Sequence, residues 1–168
     1  DVGTTVKDRL PVTLFEGDVG AHAYSVEVLD KGQNGDDLIK VDSARDRILE
    51  DALGFVTALS SLGQRLPMND DLFDRHVSDP IKSVRDWFTK AEWGEYGTWL
   101  SSVESALHRR FAGNEIVIAP RHGDLLPDNC LASADGSLLK VLDWEHYEPK
   151  GLPMLDWVIF LGRAYRPD

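Results

Sequence analysis

The sequence is poor in cysteine and lacks a long apolar run. Cys130 is the only cysteine among 168 residues, which excludes an internal disulfide and a multi-cysteine metal site and fits a reducing compartment. No apolar run reaches the roughly 18 residues of a membrane span, and the first residues lack the basic-then-apolar layout of a signal peptide. We therefore expect a cytoplasmic protein with no membrane partner.

Positive charge is also scarce. Lysine and arginine together number 18 against 29 aspartates and glutamates, which gives a net charge of −11. Broad nucleic-acid binding needs clustered lysine and arginine, so this balance argues against a nucleic-acid partner. The acidity would suit a cationic small molecule, and the alternative that it serves only solubility stays open. The length and the 42% hydrophobic content suffice for one domain or one large lobe.

Three stretches carry strand or turn patterns. Two apolar segments between Leu10 and Gln33 flank "EGDVG" and predict a β-hairpin that turns there. The polar "DKGQNGDD" that follows predicts a connector, which could act as a hinge. Residues 116–119 and 138–142 predict two short strands, with "SADGS" as a turn between them.

Helical periodicity covers most of the remaining chain. Ser43 is the predicted N-cap of a helix that ends near Gly63. A second helical stretch over residues 80–111 is expected to break at Gly94 and Gly97. A third, over residues 154–163, is apolar enough for a buried helix. The expected core positions of the first two stretches are Ile48, Leu49, Ala52, Phe55, Val56, Leu59, Leu62, Ile81, Val84, Trp87, Phe88, Trp99, Leu100, Val103 and Leu107.

One segment carries a pattern typical of phosphoryl transfer. His122, Asp124 and Asn129 form H-x-D-x-x-x-x-N, the interval of the protein-kinase catalytic loop, in which the aspartate is the base and the asparagine holds metal. Asp143 follows after a turn and a short strand, where protein kinases carry the metal-binding aspartate of D-F-G. Because a strand-turn-strand returns the chain to the same edge, Asn129 and Asp143 can share one ion. The alternative that these side chains only stabilise turns stays open.

The residues of both motifs resemble those of one family within the kinase-like proteins. "HGDLLPDN" followed by "VLDWE" resembles the aminoglycoside phosphotransferase and choline kinase-like family, whose members carry H-G-D-x-x-x-x-N and I/L-D-W/F-E. The later "GLPMLDWVIFL" is similar to that family's segment in which an aspartate opens a buried helix. The resemblance implies that Asp124 is the catalytic base and that Asn129 and Asp143 bind Mg²⁺. It further implies that His122 supports the loop and that Asp156 accepts hydrogen bonds from the loop's backbone.

The resemblance also implies a fold. It is an α/β (α+β) protein-kinase-like fold, in which residues 1–33 end the N-terminal lobe as a β-hairpin and hinge, and residues 34–168 form a mainly helical C-terminal lobe. Glu27, Val28 and Leu29 would contact the nucleotide base at the hinge. The family's nucleotide-binding loop and strand-borne lysine lie upstream of such a hairpin, so we expect a fragment of the full enzyme.

The expected function is that of an ATP-dependent small-molecule kinase, with GTP as a possible donor and Mg²⁺ as cofactor. The acceptor would be a hydroxyl of an aminoglycoside-like compound or an amino alcohol. One alternative is a catalytically inactive kinase-like binding module. Another, a metal-dependent phosphohydrolase, is disfavoured because it would be expected to show further clusters of histidine and aspartate upstream, and none is found.

Overall fold

The computed structural model describes residues 6–28, 31–85 and 88–165. The chain divides into a first unit, residues 1–63 with 119–168, and a second unit, residues 64–118. Each unit is treated separately below. The predicted boundary between two lobes after residue 33 is a different division of the chain, and it stays a prediction.

The helices and strands follow one another along the chain in a mixed order. The strands are β1 (Thr13–Val19), β2 (His22–Glu27), β3 (Gln33–Asn34), β4 (Gln64–Pro67), β5 (Glu115–Arg121), β6 (Cys130–Ala132), β7 (Leu138–Val141) and β8 (Glu148–Gly151). The helices are α1 (Gly35–Leu38), α2 (Asp42–Ser61), α3 (Asp70–Phe73), α4 (Asp79–Arg85), α5 (Lys90–Phe111) and α6 (Met154–Ala164). A π-helical turn spans Asp74–Ser78, and 3₁₀ turns span Pro127–Asn129 and Trp144–His146. No described helix is both long enough and apolar enough to cross a membrane.

The predicted hairpin is confirmed, but its turn lies further along the chain. Strands β1 and β2 pair antiparallel with Val19 opposite His22, which leaves Gly20 and Ala21 as a two-residue turn. Gly20 has φ 64°, the conformation that a type II′ turn requires of its first central residue. The predicted turn at "EGDVG" is therefore wrong, because the first four residues of that stretch belong to β1.

The predicted connector is wrong over its described part. Gln33 and Asn34 form β3, which pairs with β6, and β6 in turn pairs with β7 in a three-stranded antiparallel sheet. The Asn34 side chain caps α1 by accepting a hydrogen bond from the Asp36 backbone N–H at 2.7 Å. Gln33 and Asn34 serve here as strand residues, and Asn34 is also a helix cap, so the polar composition did not indicate a free linker.

Helix α2 forms the centre of the core in the first unit. It begins at Asp42, and Val41 is the N-cap without a side-chain hydrogen bond, so the predicted N-cap Ser43 lies inside the first turn. The predicted core positions of this helix are buried, apart from Leu62, which is half exposed. The buried face contacts α6 and β7. The members of this core with less than 2% exposure include Ile48, Val56, Leu125, Leu138, Val141 and Phe160.

Helix α6 matches the predicted bounds but is buried on one face only. Asp156 and Phe160 are fully buried, whereas Met154 and Val158 are more than half exposed. The expectation of a wholly buried helix is therefore wrong, because an apolar composition does not by itself show how many faces are covered.

In the second unit, the predicted helical stretch is divided before Lys90, between α4 and α5, and not at Gly94 and Gly97. Gly94 and Gly97 both lie inside α5, which begins after a capping box: Thr89 Oγ1 accepts from the Glu92 N–H, and Glu92 Oε2 accepts from the Thr89 N–H at 2.9 Å. Trp99 is 62% exposed, which contradicts its expected burial. Trp87 lies outside the described residues.

Strand β4 pairs antiparallel with β5 over residues 64–67 and 115–118.

The position of Phe55 in α2 yields a stability prediction. Phe55 is 2% exposed and contacts Trp144 edge to face. We expect Phe55→Ala to lower the unfolding free energy by about 3–5 kcal/mol through lost burial and a residual cavity. Leu53→Ala, on the exposed face of the same helix, is the matched control and should cost well under half as much in urea unfolding. Equal losses would contradict this placement of the core.

Candidate active site

The segment after β5 is anchored to α6 through one carboxylate. The backbone N–H groups of His122 and Gly123 donate to Asp156 Oδ2 and Oδ1 at 2.7 and 3.0 Å. Both His122 and Asp156 are fully buried. One side chain therefore fixes two consecutive peptide groups at the start of the loop, and with them the direction in which Asp124 leaves the core.

The imidazole of His122 is fully engaged by the fold. Its Nε2 lies 2.8 Å from the Leu142 carbonyl oxygen, and its Nδ1 accepts the Asp124 backbone N–H at 3.3 Å. Because a carbonyl only accepts, the ring proton belongs on Nε2. Trp144 packs edge-on against the ring at 4.6 Å between centroids. These contacts place His122 in a structural position that joins the loop to the end of β7.

Gly123 explains why this loop differs from the H-R-D of protein kinases. It has φ 90°, and a Cβ atom built on it would collide with the carbonyl oxygen of His146. A side chain of any size is therefore excluded by both the backbone conformation and the adjacent chain.

Asp124 and Asn129 are brought together by a compact turn. Asn129 Nδ2 donates to the Asp124 carbonyl oxygen at 2.9 Å and lies 3.4 Å from the carboxylate oxygen Oδ2. The Leu126 N–H donates to the same carbonyl oxygen at 2.9 Å, which tightens the turn. Since Nδ2 is directed at Asp124, the amide oxygen Oδ1 of Asn129 is the atom left to bind a cation.

Asp143 stands at the end of β7 in an uncommon conformation. Its φ of 60° and ψ of 67° are left-handed, and it is the only non-glycine residue with positive φ in the described part of the chain. Its side chain is exposed and makes no hydrogen bond or ion pair with a described residue. The neighbouring Leu142 N–H donates to the Asn129 carbonyl oxygen at 2.8 Å, so Asn129 and Asp143 lie on adjoining segments. Backbone strain of this kind clusters at functional sites.

Asn129 and Asp143 carry oxygen atoms of the chemical kind that Mg²⁺ binds. Within residues 6–28, 31–85 and 88–165, no three histidine, cysteine, aspartate or glutamate side chains gather into a metal cluster. An amide oxygen and a carboxylate are hard donors, and Mg²⁺ is usually held by one or two such groups while water and substrate phosphates complete its shell. The pair is thus a small donor set of the kind that Mg²⁺ accepts.

The predicted hinge is only partly described. Glu27 ends β2, and the Val28 N–H donates to the Val12 carbonyl oxygen at 2.9 Å, whereas Leu29 lies outside the described residues. Glu27 also lines a mainly apolar cavity of about 500 Å³ in the first unit, together with Pro120, Trp144 and others. The structure thus places Glu27 at a cavity that also includes the residue next to Asp143.

Trp144 is a site residue that the sequence reasoning missed. Its Nε1 donates to the Val141 carbonyl oxygen at 2.9 Å, and its ring contacts both His122 and Phe55. It therefore connects the segment of Asp143 to the core and to the loop. The sequence signal for this role was the position of an aromatic residue directly after Asp143.

Cys130 follows Asn129 and is fully buried. Burial raises the pKa of its thiol to about 12, with a smaller contribution from the charge of Asp128. The thiolate is the reactive form, so Cys130 is inert in the folded chain.

Comparisons with known proteins agree with this architecture at the level of the fold. No protein-family model and no curated protein sequence matches the chain. Among solved structures, a mutant of aminoglycoside 2′-phosphotransferase-IIIa in complex with GDP superposes with a TM-score of 0.60 at 19% sequence identity. The match covers 97% of this chain and 61% of that protein's chain. At this identity the likeness shows the fold alone, a mixed α/β architecture of small antiparallel sheets and helices.

The surroundings of Asp156 yield a prediction about pH. Desolvation raises the pKa of this carboxyl group, and the hydrogen bonds from the His122 and Gly123 N–H groups oppose the rise in part. The folded chain then holds the proton more tightly than the unfolded chain. The raised pKa of Asp156 therefore stabilises the folded chain fully at pH values below 3.8, the ordinary pKa of the group. This stabilisation is lost as pH rises through the raised pKa.

We expect the Asp156→Asn variant to lack that pH dependence. The difference in unfolding free energy between wild type and variant, measured by urea unfolding over a pH series, should therefore fall as pH rises through the raised pKa of Asp156. Asp128→Asn, which alters an exposed carboxylate of the same loop, is the control and should keep that pH dependence. Parallel wild-type and Asp156→Asn profiles would contradict the raised pKa.

Proposed function

We propose that the chain is part of a phosphotransferase that moves the γ-phosphoryl group of ATP or GTP to a hydroxyl of a small molecule. The observation that carries this proposal is the contact of Asn129 Nδ2 with the backbone and carboxylate of Asp124, because it joins the two functional positions of H-x-D-x-x-x-x-N in one turn. The likeness of the fold to that of a phosphotransferase solved with GDP supports the same reaction class. The matched part is 61% of that protein, so the activity is proposed for the whole protein.

In the proposed mechanism, Asp124 orients the acceptor hydroxyl and takes its proton as the oxygen attacks the γ-phosphorus. The bond from the γ-phosphorus to the bridging oxygen of the β-phosphate breaks, and ADP or GDP leaves. Asn129 Nδ2, 3.4 Å from Asp124 Oδ2, restricts the rotation of the carboxylate and stabilises its charge. Phosphoryl transfer requires little covalent chemistry from the protein, so positioning and electrostatics supply most of the rate enhancement. The anchoring of His122 and Gly123 by Asp156 maintains this geometry.

Asn129 Oδ1 and the Asp143 carboxylate would hold Mg²⁺ in this proposal. When bound, the ion supplies positive charge that neutralises the phosphates of the nucleotide. The left-handed backbone at Asp143 directs its side chain into solvent, where no described residue competes for it. Glu27, Val28 and Leu29 are proposed to contact the nucleotide base.

The proposed acceptor is an aminoglycoside-like compound or an amino alcohol in the cytoplasm. The net charge of −11 favours an acceptor that carries positive charge. A panel of cationic and neutral hydroxyl compounds, assayed with Mg²⁺ and either ATP or GTP, tests the reaction class. Nucleotide binding without transfer to any acceptor would instead favour the kinase-like binding module.

The base is tested by Asp124→Asn, which keeps the shape of the side chain and removes its ability to accept a proton. We expect kcat to fall by about 10²–10⁴-fold, the usual contribution of general acid–base catalysis, with the nucleotide Kd changed by less than about twofold. Asp128→Asn removes a neighbouring exposed charge and should leave both constants near wild type. Weaker nucleotide binding with an unchanged kcat would rule out Asp124 as the base.

The metal site is tested by Asp143→Asn. Loss of the carboxylate should raise the Mg²⁺ concentration required for half-maximal transfer by at least about tenfold, since removal of a ligand costs no less than removal of its supporting groups. The Mg²⁺ titration of Asp128→Asn, compared at the same nucleotide concentration, should overlay that of the wild type. An unaltered titration for Asp143→Asn would remove Asp143 from the site.

A further inference from the structure

The strand that leads into the active-site loop ends in an ion pair that the proposed mechanism does not use. Arg121 is the last residue of β5 and lies opposite Glu148, the first residue of β8, in the antiparallel pairing of these strands. Arg121 Nε donates to Glu148 Oε2 at 2.9 Å, and only 18% of the arginine side chain is exposed. Because the pair is partly buried, water and salt screen its charges less than those of an exposed pair.

The space that this ion pair occupies is left open by a glycine. Gly151 ends β8, is buried, and lies opposite Ala119 in the same strand pairing. A Cβ atom built on Gly151 would lie 2.6 Å from Arg121 Cδ and 2.7 Å from Glu148 Oε2. A side chain at position 151 would therefore have to displace both members of the pair.

Arg121 adjoins the groups that hold the loop. It directly precedes His122, and the N–H groups of His122 and Gly123 donate to the two oxygens of Asp156. Desolvation raises the pKa of Asp156, and these two hydrogen bonds lower it in part. The next contribution is the positive charge of Arg121, which also lowers the pKa of Asp156, followed by that of His122.

Two other elements pack on α6 near Asp156, namely α2 and the turn Pro127–Asn129. The buried residues of α2 are all apolar. The charged residue of the turn, Asp128, is exposed to solvent. Arg121 and His122 are therefore the side chains whose charge acts most on the Asp156 carboxyl group.

We propose that Arg121 is a positioning residue: held in place by Glu148, it keeps the Asp156 carboxyl group ionised, so that both carboxylate oxygens hold the active-site loop. A protonated carboxyl group carries an O–H donor in place of a charged acceptor, so it accepts less well from two N–H groups. Loss of the Arg121 charge would therefore weaken the anchoring of the loop from which Asp124 extends. The catalytic part of this inference rests on the proposed phosphotransfer, whereas the effect on Asp156 does not.

The test follows the backbone amide proton shifts of His122 and Gly123 by NMR over a pH series in the intact chain. Both amides donate to Asp156, so the midpoint of their common transition reports its ionisation, and the transition should be absent in Asp156→Asn. We expect Arg121→Gln to move the midpoint to higher pH, because removal of a nearby cation disfavours the carboxylate. Arg121→Met, which is neutral and keeps the aliphatic stem, should move it in the same direction and replaces Arg121→Gln if that variant does not fold.

Two further variants separate charge from shape. Arg121→Lys keeps the positive charge, and its midpoint should lie closer to that of the wild type than the midpoint of either neutral variant. Lys150→Gln removes an exposed positive charge of β8 and is the charge-matched control, with an unchanged midpoint. An unmoved midpoint in the neutral variants, an equal move in Lys150→Gln, or an Arg121→Lys midpoint as high as that of Arg121→Gln would overturn the proposal.

The role in catalysis is measured in the whole protein through the pH profile of kcat. The low-pH limb of the Arg121→Gln profile should move to higher pH, in the direction of the NMR midpoint. A profile that overlays that of the wild type while the NMR midpoint moves would remove Arg121 from the positioning of the loop. Absence of phosphotransfer in the wild type would contradict the proposed function and would leave the NMR transition of Asp156 unchanged.

Discussion

The active-site loop depends on a buried carboxylate that faces two backbone N–H groups. Asp156 carries no contact with the proposed substrates, yet it fixes the peptide groups of His122 and Gly123 from which Asp124 extends. The arrangement is costly, since desolvation raises the pKa of the carboxyl group. It is effective because Asp156 lies in the first turn of α6, which packs on α2, so the loop is positioned by the core of the first unit.

From that anchor, a series of hydrogen bonds extends through the loop to the metal position. His122 joins Asp124 to Leu142, and Leu142 joins its own segment to Asn129. The segments that carry the side chains proposed for acid–base chemistry and for metal binding are therefore linked by hydrogen bonds. A displacement of the His122 ring would alter both the position of Asp124 and that of the proposed metal ligands. This distinguishes the site from one in which ligands project from independent loops.

The sequence predicted those parts of the fold that short-range chemistry controls. The spacing of His122, Asp124 and Asn129 needs only one turn to bring the three residues together, and the apolar face of α2 follows from its period. The failures involved competition between local signals. Thr89 and Glu92 satisfy the open end of α5, and this outweighed the helix-weakening effect of Gly94 and Gly97. The pairing of Asn34 with β6 could not be read from the sequence, because its partner lies 97 residues away.

The left-handed backbone of Asp143 has a consequence for how this chain can change. Holding a non-glycine residue in that conformation costs about 1 kcal/mol, which the rest of the fold must supply. Glycine adopts the same conformation without that penalty, and asparagine tolerates it well. Replacements that discard the carboxylate are therefore among the easiest for the fold to accept. Backbone conformation alone gives no preference for aspartate over glycine or asparagine at position 143, so a requirement for its charge is what would preserve it.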